Sequence, residues 1–241
     1  MRNVIFFCAW LILLGGLVAA QEAVKPWTEW SKKDAEKMLN DSPWGQSQTE
    51  RGAEPVDTTI VTSTQSGRSA PDKKGESGET TGPKTLSYRA RFLTARPIRE
   101  AFARMVLLSL PNPSEEFAGQ MRGFVDRDFG DFLVISLNVD GSDGKATAAA
   151  LQGLAKLTSE LAKGKTYLER KDGKRATFID YKAPIADNLG AKFVFSRTLE
   201  GQPFLTEANE SVRFFAEISE KSKLNLKFKL SSMMYGGKLE Y

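Results

Sequence analysis

The chain has 241 residues, of which 41% are hydrophobic and 27% charged, and its formal net charge at pH 7 is +4. This composition is typical of a globular protein with one sizeable core or two small ones. The sequence contains no histidine and a single cysteine, Cys8. The lack of histidine excludes Ser-His-Asp and Cys-His nucleophiles and removes the commonest ligand of zinc and iron. The composition therefore favours binding over catalysis, although an enzyme that uses carboxylates alone stays open.

The first twenty residues have the pattern of a secretory signal peptide (1–20). Arg2 precedes an apolar run over residues 4–20, which ends in the small residues Ala19 and Ala20. We expect cleavage after Ala20 and export to the periplasm or out of the cell. The alternative is an uncleaved membrane anchor, since the run is close to the shortest length that spans a bilayer. After cleavage we expect no thiol, no disulfide, no transmembrane span and no nucleic-acid partner.

Residues 21–48 form a short segment that is rich in tryptophan. It contains every tryptophan after the predicted leader, namely Trp27, Trp30 and Trp44. Ser31 and Asp34 have the spacing of a capping box, which predicts a helix that ends near Asn40. Large aromatic rings are rarely left exposed. We expect them either to pack on the chain's own domain or to dock on another protein of the cell envelope, with sugar stacking as a third alternative.

The composition changes over residues 49–83. Residues 51–83 contain no aromatic residue and are rich in Gly, Ser, Thr, Pro, Glu and Lys. Such a segment buries too little apolar surface to offset the entropy of ordering, so we predict a disordered linker over 49–83. The remaining residues, 84–241, are predicted to form a globular α+β domain with three helices packed on an antiparallel or mixed sheet.

Helices of this domain are predicted from caps and apolar spacing. The first has Pro97 in its first turn, and the second follows the cap and proline of Asn112-Pro113. The third follows the turn at residues 140–144 and extends as far as Leu161.

The strands are predicted from alternation and from turn signals. Tyr88, Ala90 and Phe92 alternate with Arg89 and Arg91, which places the arginines on the opposite face of a strand over 85–94. An almost continuous apolar run at 132–137 predicts a strand covered on both faces. Asp172-Gly173 predicts a hairpin between strands over 167–171 and 175–181. Further strands are predicted at residues 192–197, 212–218 and 223–230.

Several short patterns are similar to those of a known family. Residues 27–34 read Trp-Thr-Glu-Trp-Ser-Lys-Lys-Asp, and residues 40–44 read Asn-Asp-Ser-Pro-Trp. Further on, residues 95–99 read Ala-Arg-Pro-Ile-Arg, 227–230 read Lys-Phe-Lys-Leu, and 234–241 read Met-Tyr-Gly-Gly-Lys-Leu-Glu-Tyr. Together they resemble a family of exported bacterial proteins, often acidobacterial, some of which are catalogued as GWxTD-domain proteins. The resemblance implies export, and it carries over no catalytic residue because the family has no established activity.

Asp126, Asp128 and Asp131 form the densest carboxylate cluster of the chain. Paired carboxylates across a cleft hydrolyse glycosidic bonds, so these residues are the candidates for a secreted hydrolase acting on polysaccharide. Closeness along the chain does not show that they face each other, and a helix end followed by a polar loop is the simpler interpretation.

The stretch 138–144 is rich in side-chain oxygens but does not fit the EF-hand pattern, because its glycine is misplaced. We predict a turn in which Asp143 or a neighbour caps the next helix. We expect no metal site and no cofactor.

Lysines alternate with apolar residues in the predicted strand at 223–230. Lys223, Lys227 and Lys229 then form a basic face, which is typical of a solvated or protected edge strand. Alternatively, this face binds an anionic partner such as lipid headgroups or acidic polysaccharide.

The leading hypothesis is an exported, non-catalytic binding or interaction protein of the cell envelope. Its candidate binding residues are Trp27, Trp30, Trp44, Lys223, Lys227 and Lys229. The carboxylate hydrolase and the anionic-ligand-binding domain are the alternatives.

Overall fold

A computed structural model describes residues 25–51, 84–219 and 222–241. The predicted signal peptide and residues 52–83 of the predicted linker lie outside the described residues. Within the described residues the chain is an α+β protein with five α-helices and antiparallel sheets. The predicted fold class is therefore confirmed at this level, and the number of helices differs.

The helices are α1 (Lys32–Asn40), α2 (Arg96–Ser109), α3 (Glu115–Val125), α4 (Gly144–Lys156) and α5 (Ser159–Ala162), with 3-10 turns at Trp27–Glu29 and Leu230–Ser232. The long strands are β1 (Gly45–Arg51), β2 (Thr85–Phe92), β3 (Phe132–Gly141), β4 (Thr166–Arg170), β5 (Phe178–Lys182), β6 (Ala191–Ser196), β9 (Ser211–Glu217) and β10 (Lys223–Lys229). Two-residue strands are β7 (Thr198–Leu199), β8 (Gln202–Pro203), β11 (Met234–Tyr235) and β12 (Lys238–Leu239).

Two antiparallel sheets enclose the main core. The larger has the strand order β1-β2-β3-β6-β5, and the smaller has the order β10-β9-β4. Aromatic rings meet between them: Phe92 on β2 contacts Phe228 on β10 at 4.9 Å between ring centroids. Phe193 on β6 likewise meets Phe214 on β9 at 5.3 Å. All four rings are fully buried, so the space between the sheets is filled by side chains.

The sheets are also joined along both pairs of edges. At one edge the Gln48 side chain of β1 donates to the Lys223 carbonyl at 2.9 Å and accepts from the Asn225 backbone N–H at 3.1 Å. The amide of this side chain thus takes the place of a peptide group from a neighbouring strand. At the other edge the Ala176 N–H donates to the Leu168 carbonyl at 3.0 Å. These contacts occupy edge groups that would otherwise be free to pair with another chain.

Several local predictions are confirmed. Ser31 and Asp34 form a reciprocal capping box at the start of α1, which ends at Asn40. Strand β2 buries Tyr88, Ala90 and Phe92, as the alternation indicates. Residues 133–137 of β3 are buried on both faces. Local signals of these kinds depend on nearest neighbours in the chain, which explains why they can be read from the sequence.

The hairpin prediction at Asp172-Gly173 is only partly right. A turn does form there, and Arg170 and Lys174 share a backbone hydrogen bond of 2.9 Å. Beyond it, however, β4 pairs with β9 and β5 pairs with β6, so the two strands belong to different sheets. They separate because each has an aromatic partner elsewhere. Tyr167 stacks on Phe215 at 4.8 Å, and Tyr181 meets Phe193 at 5.0 Å.

Two helix boundaries also differ from the predictions. The third predicted helix is divided into α4 and α5, since Leu157 and Thr158 are extended and the Thr158 hydroxyl caps α5. The second predicted helix is capped by Ser114, whose hydroxyl accepts from the Phe117 N–H at 3.2 Å, rather than by Asn112. A serine nearer the helix outcompetes the more distant asparagine as the acceptor for the first-turn amides.

Strand β1 corrects the predicted boundary at residues 48 and 49. Gly45–Arg51 pairs with β2 along its whole length, with Thr49 opposite Ser87 and Glu50 opposite Leu86. The prediction missed this strand because Gln46 to Arg51 contain no apolar residue. Its stability comes from backbone pairing with β2 and from the Gln48 contacts, and none of these leaves a hydrophobic pattern.

Candidate functional site

The Trp-rich segment packs against the chain's own domain. The Trp30 ring is buried beside Ala35 and Ala101, and its Nε1–H donates to the Lys25 carbonyl at 3.0 Å. The Trp30 carbonyl accepts from Nε of Arg104 on α2 at 2.6 Å. The N-terminal segment is thereby fastened to α2.

Trp44 is part of the main core. Its Nε1–H donates to the Glu240 carbonyl at 2.7 Å, and its ring meets Tyr235 edge-on at 6.1 Å. Trp27 is only half-buried. The indoles of Trp30 and Trp44 are therefore largely interior, and the small part that stays exposed lines an open pocket of about 460 Å³ together with Met38 and Pro43.

Three of the patterns that carry the family resemblance, at residues 40–44, 95–99 and 234–241, meet at this point in space. Glu240 accepts from the Trp44 indole through its carbonyl and from the Arg96 N–H at the start of α2 through Oε1, at 2.9 Å. The Tyr235 hydroxyl donates to the buried Glu100 of α2. Both ends of the chain's described part are thus held against α2. These contacts give a structural reason for the residue types found in these patterns.

The lysines of β10 all lie on its exposed face. Lys223 pairs with Glu217 at 3.1 Å. Lys227 and Lys229 have no ion pair within the part of the chain that the structure describes, and they line an open polar groove of about 590 Å³ together with Ser47 of β1.

The three carboxylates of the predicted cluster have separate surroundings. All three residues are exposed. Asp126 pairs with Arg96 at 2.8 Å, and Asp128 accepts from the Gly130 N–H at 2.8 Å in a local turn. Asp131 lines neither this groove nor the cavity described next. The structure does not bring these carboxylates together across a cleft.

The turn before α4 agrees with the predicted capping. Asp143 is the cap residue of α4, and its carboxylate accepts from the Ala146 N–H at 3.0 Å. Among the described residues there is no group of three or more Cys, Asp or Glu side chains placed to hold a metal ion.

A cavity of about 460 Å³ lies between α2 and the outer face of the larger sheet. One wall is polar and comes mainly from β2, β3 and the loop before β6. Its residues are Arg89, Arg91, Ser136, Asn138, Asp140 and Asn188. The opposite wall is apolar and comes mainly from α2. Its residues are Leu39, Leu93, Ile98, Phe102, Met105 and Val106, and Ser109 of α2, Val139 of β3 and Leu189 of the loop before β6 complete the lining.

Arg91 is the most unusual residue of this cavity. The residue is only 9% exposed. Its guanidinium donates to the Leu39 carbonyl at 2.7 Å, to Oδ1 of Asn138 at 2.8 Å and to Oδ1 of Asn40 at 3.1 Å. These acceptors are all neutral, and within the described residues Arg91 has no carboxylate within ion-pairing distance. A buried charge without a counter-charge is costly.

The environment of Arg91 also shifts its protonation equilibrium. Burial, reinforced by repulsion from Arg89, lowers the pKa of Arg91 to about 10, and the negative charge of Asp140 opposes the change. The guanidinium still carries its charge at neutral pH. The cavity wall therefore contains a cation whose solvation is poor and whose hydrogen-bond partners do not neutralise it.

Arg89 stands next to Arg91 on the same face of β2. Its Nη1 forms an ion pair with Asp140 at 3.1 Å. Its Nε is buried and has no hydrogen-bond partner within the described residues. Two arginines and one aspartate leave the lining with one net positive charge.

The rim of the cavity is held in an unusual backbone conformation. Asn188 has φ of 60°, and its carbonyl accepts from Nδ2 of Asn138 at 3.2 Å. Gly190 has φ of 78°, and a Cβ at this position would lie 2.2 Å from the Leu137 carbonyl oxygen. Only glycine fits there. This loop places Asn138 so that its Oδ1 can meet Arg91.

This cavity is not predicted from the sequence. Its only sequence signal is the pair of arginines that alternates with the core residues of β2, a pattern usual for a solvated face. Helix α2 and the end of α1 cover that face. The packing of these helices on β2 cannot be read from the local sequence pattern of the strand.

The fold and cavity define an α+β protein with two antiparallel sheets around one core and a mixed polar and apolar cavity on its outer face. Comparisons with family models, with curated proteins and with solved structures find no match to the chain. Among the described residues, no helix combines the length and the apolar character needed to cross a bilayer.

Proposed function

We propose that this protein is an exported, non-catalytic binding protein of the cell envelope, and that its ligand occupies the cavity between α2 and the larger sheet. The observation that carries the proposal is Arg91, a buried cation with neutral hydrogen-bond partners in the wall of a cavity. A charge kept at this cost is typical of a binding site. The volume of about 460 Å³ lies in the range of sites for small organic molecules.

The titratable groups of the lining favour binding over chemistry. They are Arg89, Arg91 and Asp140. Asp140 is held in an ion pair with Arg89, and acid–base catalysis needs a group that is free to exchange a proton with the substrate. The predicted leader and the family resemblance support export.

The N-terminal segment has a different role in this proposal from that of a docking peptide. Leu39 lines the cavity and its carbonyl, together with the Asn40 side chain, holds the Arg91 guanidinium. The tryptophans act indirectly, because Trp30 and Trp44 fasten α1 in the position from which it completes the cavity wall.

Filling the cavity tests the proposal. Val106→Trp places an indole at a half-buried position of the cavity wall, whereas Leu108→Trp adds the same ring at an exposed position of α2. We expect small organic compounds to bind the mature chain in a ligand-observed NMR screen. Val106→Trp should lose that binding and Leu108→Trp should retain it. The proposal is wrong if no compound binds, or if Val106→Trp binds as well as the unmodified chain.

A further inference from the structure

We infer that the ligand of this cavity is an amphiphilic monocarboxylate, a molecule with one carboxylate group and an apolar body. This inference rests on the proposed function and specifies the chemical class of the ligand. It follows from three properties of the cavity, which are its net charge, its unused hydrogen-bond donors and the separation of its polar and apolar walls.

The charge of the lining selects an anion and limits its charge. The lining carries one uncompensated positive charge, which repels cations, and burial leaves the guanidinium of Arg91 poorly solvated. A monoanion would neutralise it. A dianion would bring a second negative charge close to the carboxylate of Asp140, and like charges repel each other.

The donors of the two arginines suit a carboxylate. A guanidinium has five N–H groups, and Arg91 uses three of them on neutral acceptors. Arg89 contributes a buried Nε–H without a partner in the described residues. A planar carboxylate accepts from such donors in pairs and gives shorter, stronger hydrogen bonds than a neutral oxygen does.

The apolar wall requires that the ligand also has an apolar body. Phe102, Met105 and Val106 lie along one side of α2 and face the cavity. They are only half-buried, so an alkyl or branched body laid along α2 would remove further apolar surface from water. A small hydrophilic anion would fill the charged end and leave this wall uncovered.

Isothermal titration calorimetry on the full mature chain tests this class with four matched probes. Decanoate has both parts, decanol lacks the charge, decyltrimethylammonium reverses it, and acetate lacks the apolar body. We expect decanoate to bind at least about tenfold more tightly than each of the others, as the loss of a charge-assisted hydrogen bond implies.

Variants locate the binding. Arg91→Met and Arg89→Met should each weaken decanoate binding by about tenfold or more, while leaving the weak binding of decanol unchanged. Arg122→Met is the control, because it removes the same charge from an exposed arginine of α3 that pairs with Glu115. If Arg91→Met fails to fold, Arg89→Met and the comparison of probes on the unmodified chain still decide the question.

Failure of this inference differs from failure of the proposed function. Decanol or decyltrimethylammonium binding as tightly as decanoate, with Val106→Trp abolishing it, would overturn the carboxylate class and leave a binding cavity. Decanoate binding that Arg91→Met and Arg89→Met do not weaken would also overturn the class.

Discussion

Single side chains hold the N-terminal segment of this protein in place. Trp30 and Trp44 use their indole N–H groups on backbone carbonyls, and Ser31 and Asp34 satisfy each other's backbone amides at the start of α1. At the other end of α1 the Leu39 carbonyl is a partner of Arg91. The position of a buried cation therefore depends on how well α1 is anchored.

The capping box makes the stability of α1 depend on pH. The Ser31 backbone N–H and hydroxyl lower the pKa of Asp34 below its ordinary value of 3.8. Because the folded-state pKa is depressed, the stabilisation is present above pH 3.8 and is lost as the pH falls through the lowered value. Ser31→Ala should bring the pKa of Asp34 closer to its ordinary value and cost about 1 kcal/mol in the free energy of unfolding at neutral pH.

NMR titration of the Asp34 carboxyl and urea unfolding measure these two effects. Ser47→Ala is the control, because it changes an exposed serine of β1 that caps no helix. An Asp34 that titrates at its ordinary pKa in the unmodified chain would contradict the prediction.

At the level of elements, the edges of the two sheets are the distinctive feature. Strand β1 contributes no large apolar side chain, yet it completes the larger sheet and faces β10 of the smaller one. Gln48 joins them with two hydrogen bonds to backbone groups of β10. An edge that is occupied in this way is protected from pairing with other chains.

Gln48→Met tests the role of this contact. The substitution keeps a side chain of similar length but removes both hydrogen bonds, which should cost about 1 to 2 kcal/mol in unfolding free energy. It should also speed hydrogen exchange at the Asn225 amide, which loses its acceptor. Gln46→Met, two residues earlier on the same face of β1, has no described side-chain hydrogen bond to lose and should change neither quantity. Equal effects of the two substitutions would show that the hydrogen bonds of Gln48 to β10 do not contribute to stability.

For the whole molecule, the N-terminal segment is an integral part of the fold. It adds a strand to the larger sheet, places two tryptophans in buried positions and lines the cavity through Leu39. Residues 25–51 are separated in sequence from the strand they pair with by residues 52–83. Their attachment therefore depends on packing and pairing rather than on nearness along the chain.

A protease site inserted between residues 52 and 83 tests this attachment. After cleavage we expect the two fragments to co-elute in gel filtration, and tryptophan emission to remain blue-shifted, because every tryptophan after the predicted leader is in the smaller fragment. Cleavage in denaturant is the control and should separate them. A smaller fragment that elutes alone under native conditions, with solvent-like emission, would contradict an integral role.

The secondary structure was predictable where the signal is local. The capping box of α1, the alternation of β2 and the Asp143 cap of α4 each depend on a few neighbouring residues, and each is confirmed. The pairing of the two strands that flank the turn at Asp172-Gly173 was not predictable, because their partners come from distant parts of the chain. The same holds for β1, whose polar sequence has no strand pattern of its own.

The cavity could not be predicted from local sequence patterns. Alternation correctly places Arg89 and Arg91 on the face of β2 opposite the core, and such a face is ordinarily solvated. Tertiary packing of α1 and α2 changes the outcome, since it buries Arg91 and leaves its charge without a counter-ion in the described residues. For the same reason Trp30 and Trp44 are buried against the chain's own domain, which was one of the two arrangements expected for them.

Composition and periodicity were thus enough to establish which catalytic systems the chain lacks, its α+β class and most of its helices and strands. These properties depend on residue identity and on short-range spacing. Which strands pair, which rings are buried and which charge loses its solvent were decided only in the tertiary structure. Each of them depends on groups far apart in sequence, and the free energy of a charge or an indole is set by what surrounds it in space.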